Sequence, residues 1–234
     1  MPDAFFLDQY RRKAASADPL EQAGRGTEFQ GAGFVHVVKE TLQLLELRPE
    51  HAVLDVGCAN GLLDVELSGS CRELLALEPV PELAALARTT LAACPSARVE
   101  VGHGAAVPAP DRSFDRVLML EVLQLVAPDE VPAIFQELRR VTRAGGRVVV
   151  SAIPDAARRE AVLGPYLAGV RAASHLTADQ KAAIVARNER ASWYDPGTLV
   201  RWWKVLGDDA AVRRPAPDYP NAADRFHLVV TVGA

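Results

Sequence analysis

The sequence predicts an α/β fold, a mostly parallel sheet covered by helices on both faces. Two patterns carry this reading. Between residues 52 and 151, short apolar runs alternate with stretches of helical periodicity, the rhythm of successive βαβ units. After residue 195, one more helix precedes two strand-like runs that a proline-rich turn joins as a terminal hairpin. The 234 residues suffice for one large domain, and 49% apolar with 24% charged residues is the composition of a folded chain.

The stretch to Gly33 sets Gly24, Gly26, Gly31 and Gly33 among charged residues and reads as irregular, with one short helix. In the helix expected over 34–47, Phe34, Val38, Leu42 and Leu45 stand at helical spacing, and Pro49 stops it. Residues 52–56 form a first strand that ends in a glycine-bearing turn, followed by a brief helical segment over 62–67. A second strand over 73–77 closes on Glu78. The helix after it carries Leu83, Leu86, Ala87 and Leu91 on one face. Strands three and four fall at 98–101 and 114–120. A helix striped by Val131, Ile134, Phe135, Leu138 and Val141 then ends at Gly145-Gly146, a pair suited to a helix C-terminus, before a fifth strand at 147–151. Residues 155–192 break the rhythm, being Ala-rich and helical, and read as an insertion or lid. Asp195-Pro196 is an N-cap with proline in the first turn. The helix it opens runs through Leu199, Trp202, Trp203 and Leu206, and 211–213 with 226–232 form the hairpin.

Charge and cysteine usage exclude several classes. Lys and Arg number 26 against 30 Asp and Glu, a net charge of −4, whereas nucleic-acid binding draws its affinity from an excess of cations. No apolar run approaches the roughly 18–20 residues of a membrane span. Asp3 and Asp8 near the start, with no basic stretch, are unlike a secretory signal, so a cytoplasmic location is expected. Cys58, Cys71 and Cys94 include no CxxC pair, so neither a disulfide framework nor a metal site is expected.

The turn after the first strand, Val53-Leu54-Asp55-Val56-Gly57-Cys58-Ala59-Asn60-Gly61, sits where ligands bind in open α/β sheets, beyond the carboxyl ends of the strands. Its glycine spacing is not the GxGxxG that wraps a pyrophosphate, and Asp55 just before it would repel phosphate. Glu78 ends the second strand 21 residues after Gly57, where a carboxylate can accept hydrogen bonds from both ribose hydroxyls. Together these features suit a nucleoside with a positively charged tail and no phosphates.

Four blocks in this order, VLDVGCANG (53–61), LALEPV (75–80), VPAPDRSFDRVLMLEVLQLV (107–126) and ELRRVTRAGGRVVVSAIP (137–154), resemble the class I S-adenosylmethionine-dependent methyltransferases, of the small-molecule type. The resemblance implies a Rossmann-like seven-stranded sheet with the last strand antiparallel. It implies S-adenosylmethionine as cofactor and S-adenosylhomocysteine as product. Residues 34–154 and 195–234 would form the cofactor-binding core, 1–33 an N-terminal cap and 155–194 a helical lid insertion.

Carried over by position, Asp55 and the backbone at Gly57 and Ala59 would hold the methionine end, with Cys58 and Gly61 completing the turn. Glu78 would take the ribose hydroxyls, Pro79 and Val80 would pack on the adenine, and the backbone around Leu120 would meet the methionine amine. His103, with Gly104 and Ala105, would face the adenine amine. Three positions depart from the family pattern: Ala59 replaces a usual glycine, His103 a usual aspartate, and Gln124-Leu125 an acidic-His pair of many relatives.

The acceptor is narrowed by exclusion. Leu120-Glu121-Val122-Leu123 stands where methyltransferases acting on base or glutamine amines carry an Asn/Asp-Pro-Pro-aromatic run. No carboxylate trio of the catechol type is recognisable, and the length leaves little for an appended RNA-binding domain. The expected acceptor is a small molecule of sugar or secondary-metabolite type, methylated at O or N by in-line displacement. Candidates for a general base are Glu121, His36 and His175; their structural readings are a helix cap, packing on a helix and a polar surface residue. Tyr10, Trp193 and Tyr194 are the candidate walls and contacts of an acceptor pocket under the lid, and the last two would otherwise serve as packing. Two alternatives stand beside this reading: a non-catalytic S-adenosylmethionine-binding protein of the same fold, and a nucleotide-dependent oxidoreductase.

Overall fold

Alternate residues of each central strand serve opposite layers of the molecule, and that alternation builds the sheet. The computed structural model describes residues 3–25 and 29–233; residues 1–2, 26–28 and 234, including Gly26 and parts of the expected cap, lie outside the described residues. Seven strands, β1 (Ala52–Val56), β2 (Glu73–Glu78), β3 (Ala97–Val101), β4 (Phe114–Leu120), β5 (Thr142–Pro154), β6 (Asp209–Arg213) and β7 (Arg225–Thr231), form one sheet of order β3-β2-β1-β4-β5-β7-β6. β1 to β5 run parallel, and β7 enters antiparallel to both β5 and β6. The chain thus proceeds outward from β1 first to β2 and β3, then returns to place β4 on the other side. That reversal opens a crevice at the carboxyl ends of β1 and β4.

The helices are α1 (Ala4–Lys13), α2 (Pro19–Gln22), α3 (Ala32–Leu45), α4 (Asp64–Ser68), α5 (Pro81–Thr90), α6 (Val131–Val141), α7 (Arg159–Ala172), α8 (Ala178–Arg190) and α9 (Pro196–Val205). One face of the sheet, with Leu54, Val56, Val117, Met119, Val148 and Val150, is covered by α6 and α9. All five residues of the α6 stripe are buried, and Phe135 stacks on Trp203 with ring centroids 4.9 Å apart. On the opposite face, Val53, Leu118, Leu120 and Val149 meet Val37 and Leu45 of α3 and Leu67 of α4, while Ala87 of α5 packs with Ala76. No helix among the described residues is long and apolar enough to cross a membrane.

Two expectations are corrected. Gly145-Gly146 does not end α6: the helix stops at Val141, where Thr142 turns extended and its Oγ1 donates to the Leu138 carbonyl at 2.6 Å. The glycines instead lie inside β5, which begins at Thr142, five residues earlier than its apolar run. There the register against β4 shifts, and Gly145 takes φ +74°. Among its described residues the N-terminal stretch holds two α-helices instead of one, for a local reason. Asp3 caps α1 by accepting from Phe5 N, and Asp18 caps α2 by accepting from Leu20 N, with Pro19 in its first turn. In the 155–194 segment, α8 starts on a Thr177–Gln180 capping box, and the Asp195 carboxylate accepts from Thr198 N at 2.8 Å to open α9 as its sequence predicts.

Candidate functional site

A cavity of about 370 Å³ lies in the crevice beyond β1, β2 and β4. Its floor is the turn after β1. Gly57 N and Cys58 N donate to the Leu77 carbonyl at 2.7 and 3.2 Å, and Gly61 N closes the turn on the Cys58 carbonyl at 3.0 Å. Glu78 fastens this turn to the next strand. Its Oε2 accepts from Ala59 N and its Oε1 from Val80 N, both at 2.9 Å. Burial pushes the Glu78 carboxyl up to about 7, with the two backbone donors opposing and the nearby Asp55 adding to the rise. Asp55, also buried, has no hydrogen-bond partner for Oδ1 and is likewise pushed up by desolvation.

The glycines of the turn answer to protein neighbours. Gly57 has φ +87°, and a Cβ there would overlap Val122 Cγ2. Gly61, at φ +77°, would bring a Cβ to 3.2 Å from the Ala87 Cα; it serves the approach of α5 and does not line the cavity. Ala59, standing where a glycine was expected, takes a left-handed φ of +52°. That conformation costs an L-residue about 1–2 kcal/mol.

Asp55, Gly57, Cys58, Ala59, Glu78, Pro79, Val80, His103, Gly104, Ala105 and Leu120 all line the cavity. The His103 ring organises its own loop, Nδ1 accepting from Ala105 N at 3.3 Å. Glu121 also lines it and is held with φ +57° just past β4. Its N donates to the Ser151 carbonyl at 3.0 Å, and its carbonyl accepts from Gln124 Nε2 at 3.2 Å. The short 3-10 turn over 123–125 takes no side-chain cap, so the capping reading of Glu121 does not apply.

The roof is the N-terminal segment. Phe6, Leu7 and Tyr10 of α1 and the stretch 23–25 face the floor, and Gly24 makes room for the Tyr10 hydroxyl, which a Cβ would approach to 2.5 Å. Burial, with the Glu121 and Glu78 charges, pushes the Tyr10 hydroxyl up against the opposing Arg187 and Arg25. Asn60 ties floor to roof: its Nδ2 donates to the Pro19 carbonyl at 2.8 Å and to Gln22 Oε1 at 2.9 Å.

Besides Gly61, four expected residues are not brought to this cavity. His36 Nδ1 meets Asp218 Oδ2 at 2.9 Å on the outer side of α3, and His175 is exposed between α7 and α8. Tyr194 is buried in the core under the floor, where its hydroxyl donates to the Val126 carbonyl at 2.6 Å with the Leu123 carbonyl 3.1 Å away. Trp193 is half-buried outside the lining. Segment 155–194 contributes no lining residue. It lies against the roof instead, the Arg190 guanidinium 4.4 Å above the Phe5 ring.

Sequence reasoning missed Arg25 and Asp64. Arg25 lines the cavity with its guanidinium 5.0 Å from the Phe29 ring centroid, and its Nη1 is buried without a partner. Asp64 is fully buried behind Asp55. The signal for Asp64 was a charged residue inside an apolar run, Leu62-Leu63-Asp64-Val65, where a surface residue would break the pattern less sharply. Among the described residues no cluster suited to a metal ion exists.

Residues 54–150 match the family model described as a methyltransferase domain. A protein-L-isoaspartate O-methyltransferase of Rhodopseudomonas palustris (strain BisB18) is 40% identical over 99 residues, 42% of this chain and 44% of that protein, so the chain spans less than half its length. One of Myxococcus xanthus is 31% identical over 153 residues, 64% of this chain and 67% of that protein. In structure, a DhpI–SAH complex aligns with a TM-score of 0.67 at 19% identity, covering 98% of this chain and 96% of that one, a likeness of fold.

Proposed function

Because the chain belongs to the class I S-adenosylmethionine-dependent methyltransferases, we propose that it transfers a methyl group to an O or N atom of a small-molecule acceptor. The observation that carries this reading is the floor of the cavity: two buried carboxyls, Asp55 and Glu78, stand at the turn, and Arg25 is the one Lys or Arg among the described lining residues. That donor set fits a nucleoside with a cationic tail and disfavours the phosphates of a dinucleotide.

When bound, S-adenosylmethionine supplies an electrophilic methyl group on a sulfonium. Glu78, already fixed by Ala59 N and Val80 N, keeps lone pairs for the ribose hydroxyls. Pro79 and Val80 on one side and the 103–105 loop on another bound the space for the adenine. Glu121, whose backbone is held at both N and carbonyl, presents the carboxylate able to accept a proton from an acceptor hydroxyl. The residues mainly bind and orient, and positioning of this kind contributes roughly 7–11 kcal/mol to a displacement.

The roof supports a small acceptor. Phe6, Leu7 and Tyr10 of α1 lie over the cavity and narrow the room left for an acceptor. In this reading residues 1–33 form a cap and 155–194 a second layer outside it. A second reading, an isoaspartyl carboxylate on a damaged protein, is favoured by the names of the curated relatives. Calorimetry with S-adenosylmethionine, S-adenosylhomocysteine and NADH tests the site, and release of S-adenosylhomocysteine with hydroxyl and amine acceptors against an isoaspartyl peptide tests the acceptor. Binding of the first two ligands alone, with turnover confined to small acceptors, is expected. Failure to bind S-adenosylmethionine overturns the proposal; turnover of the peptide alone favours the second reading.

A further inference from the structure

We infer that Asp64 is held as a neutral carboxylic acid that donates its proton to Asp55 in a hydrogen bond, so that the pair faces the cavity as a single fixed negative charge. Asp64 opens α4 directly behind the floor and is fully buried. Both of its carboxyl oxygens are buried with no well-formed hydrogen bond to a donor among the described residues, and the same holds for Oδ1 of Asp55. The two carboxyl groups lie within hydrogen-bonding reach of each other. Two ionised carboxylates in a dry contact repel strongly and lose their hydration, so one keeps a proton unless a cation pairs with them.

The charged and titratable groups around the pair supply no such cation. Arg25, from the stretch after α2, is the basic group nearest both, yet its Nη1 is buried without a partner and no ion pair joins it to either aspartate among the described residues. Cys58 in the turn and Cys71 beyond α4 face the pair as neutral thiols, Cys58 pushed well up and Cys71 up to about 11 by burial and the nearby acidic groups. Glu78 on β2 adds a further acidic group on the side of Asp55 and keeps its own two donors. A proton is therefore what neutralises the second carboxyl.

Position decides where that proton sits. Asp55 lines the cavity, while Asp64 lies behind it and away from the lining. Asp64 is the more deeply buried of the two, so a charge costs less on Asp55, which borders the cavity. An aspartic acid here does what an aspartate cannot: it gives Asp55 a donor, fixes its rotamer and leaves its charge undivided toward the cavity. Asp64 touches no ligand and acts through Asp55, so it is a positioning residue. Its role toward the cationic tail rests on the S-adenosylmethionine reading; its protonation does not.

The experiment compares the wild type with Asp64→Asn, a neutral donor of nearly the same shape, with Asp64→Ala, which removes the donor, and with Asp55→Asn. Infrared spectra of the empty protein at about pH 8, above the range of ordinary carboxyls, should show a carboxylic-acid carbonyl band that Asp64→Asn abolishes. S-adenosylmethionine affinity by calorimetry should stay within about twofold in Asp64→Asn and fall about tenfold or more in Asp64→Ala, the worth of a hydrogen bond to a charged group. If the alanine variant does not fold, Asp64→Leu, of similar shape and without a donor, serves in its place. A band that survives Asp64→Asn and vanishes in Asp55→Asn, or no such band at all, overturns the inference. So does an asparagine variant that binds as poorly as the alanine one. A wild type that shows the band and its loss in Asp64→Asn, yet binds no S-adenosylmethionine, refutes the cofactor reading while the protonation stands.

Discussion

Gly57→Ala probes whether the floor glycine serves the protein or the ligand. Two costs arise without any ligand present. The residue holds φ +87°, where a side chain costs about 1–2 kcal/mol. The new Cβ also overlaps Val122 Cγ2, and a β-branched neighbour, stiff at χ1, yields by straining or shifting for about 1–3 kcal/mol. The single variant should therefore lose about 2–5 kcal/mol in urea unfolding. Val122→Ala removes the obstructing methyls, so in the double variant the steric part disappears and only the dihedral cost remains. A double-mutant cycle should then show a favourable coupling of about 1–3 kcal/mol between the two positions. Coupling below about 0.5 kcal/mol, the usual additivity error, refutes the packing argument. A Gly57→Ala protein as stable as wild type that has lost S-adenosylmethionine would place the glycine's purpose with the ligand instead.

Three further outcomes are expected. Ala59→Gly relieves the left-handed alanine at φ +52° and, after the entropy that glycine adds to the unfolded chain, should gain about 0.5–1 kcal/mol by chemical denaturation; no gain would show that the turn carries no strain. Glu78, ordinarily near 4.5 and pushed up to about 7 in the fold, binds more protons folded than unfolded between those values, so its contribution to stability is full below the lower value and lost as pH rises through the upper. The stability of wild type relative to Glu78→Gln should thus decline from about pH 5 to about pH 8, and a flat difference would sink this account. Tyr194→Phe deletes the hydroxyl donor to the Val126 carbonyl and should cost about 1–2 kcal/mol of stability with unchanged cofactor affinity; a selective loss of acceptor turnover would return Tyr194 to the pocket.

Much of the architecture was legible because its causes are local. Strand 114–120 declares itself as a short apolar run, the stripe of α6 through a period of 3.6, and Asp195-Pro196 names a helix start. The floor was legible for the same reason: Asp55 and Glu78 stand at strand ends, and parallel strands carry their ends to one edge of the sheet. What escaped was set by approach across long stretches of chain. The stretch around Arg25 reaches the floor only when α1 and α2 fold over it, and nothing at residues 23–25 announces that contact. Trp193-Tyr194 follows a segment that reads as a lid, but the bridge of Tyr194 to Asp155 and its reach to the Val126 carbonyl draw Tyr194 into the core. Gly145-Gly146 has two uses in a chain, and the register shift between β4 and β5 decides between them.

The side-chain amide of Asn60 belongs to the turn that forms the floor, yet its Nδ2 donates to α2, at the Pro19 carbonyl and Gln22 Oε1. It works as a latch. Lifting α2 away breaks both bonds and frees the residue between Ala59 and Gly61, so an open roof comes with a slack floor. A molecule that steadies the turn from within steadies the latch as well and lengthens its own stay. Gln22 lies outside the cavity lining, so Gln22→Ala, which removes one of the two bonds, is expected to change ligand association and dissociation rates in stopped-flow binding while the lining stays the same.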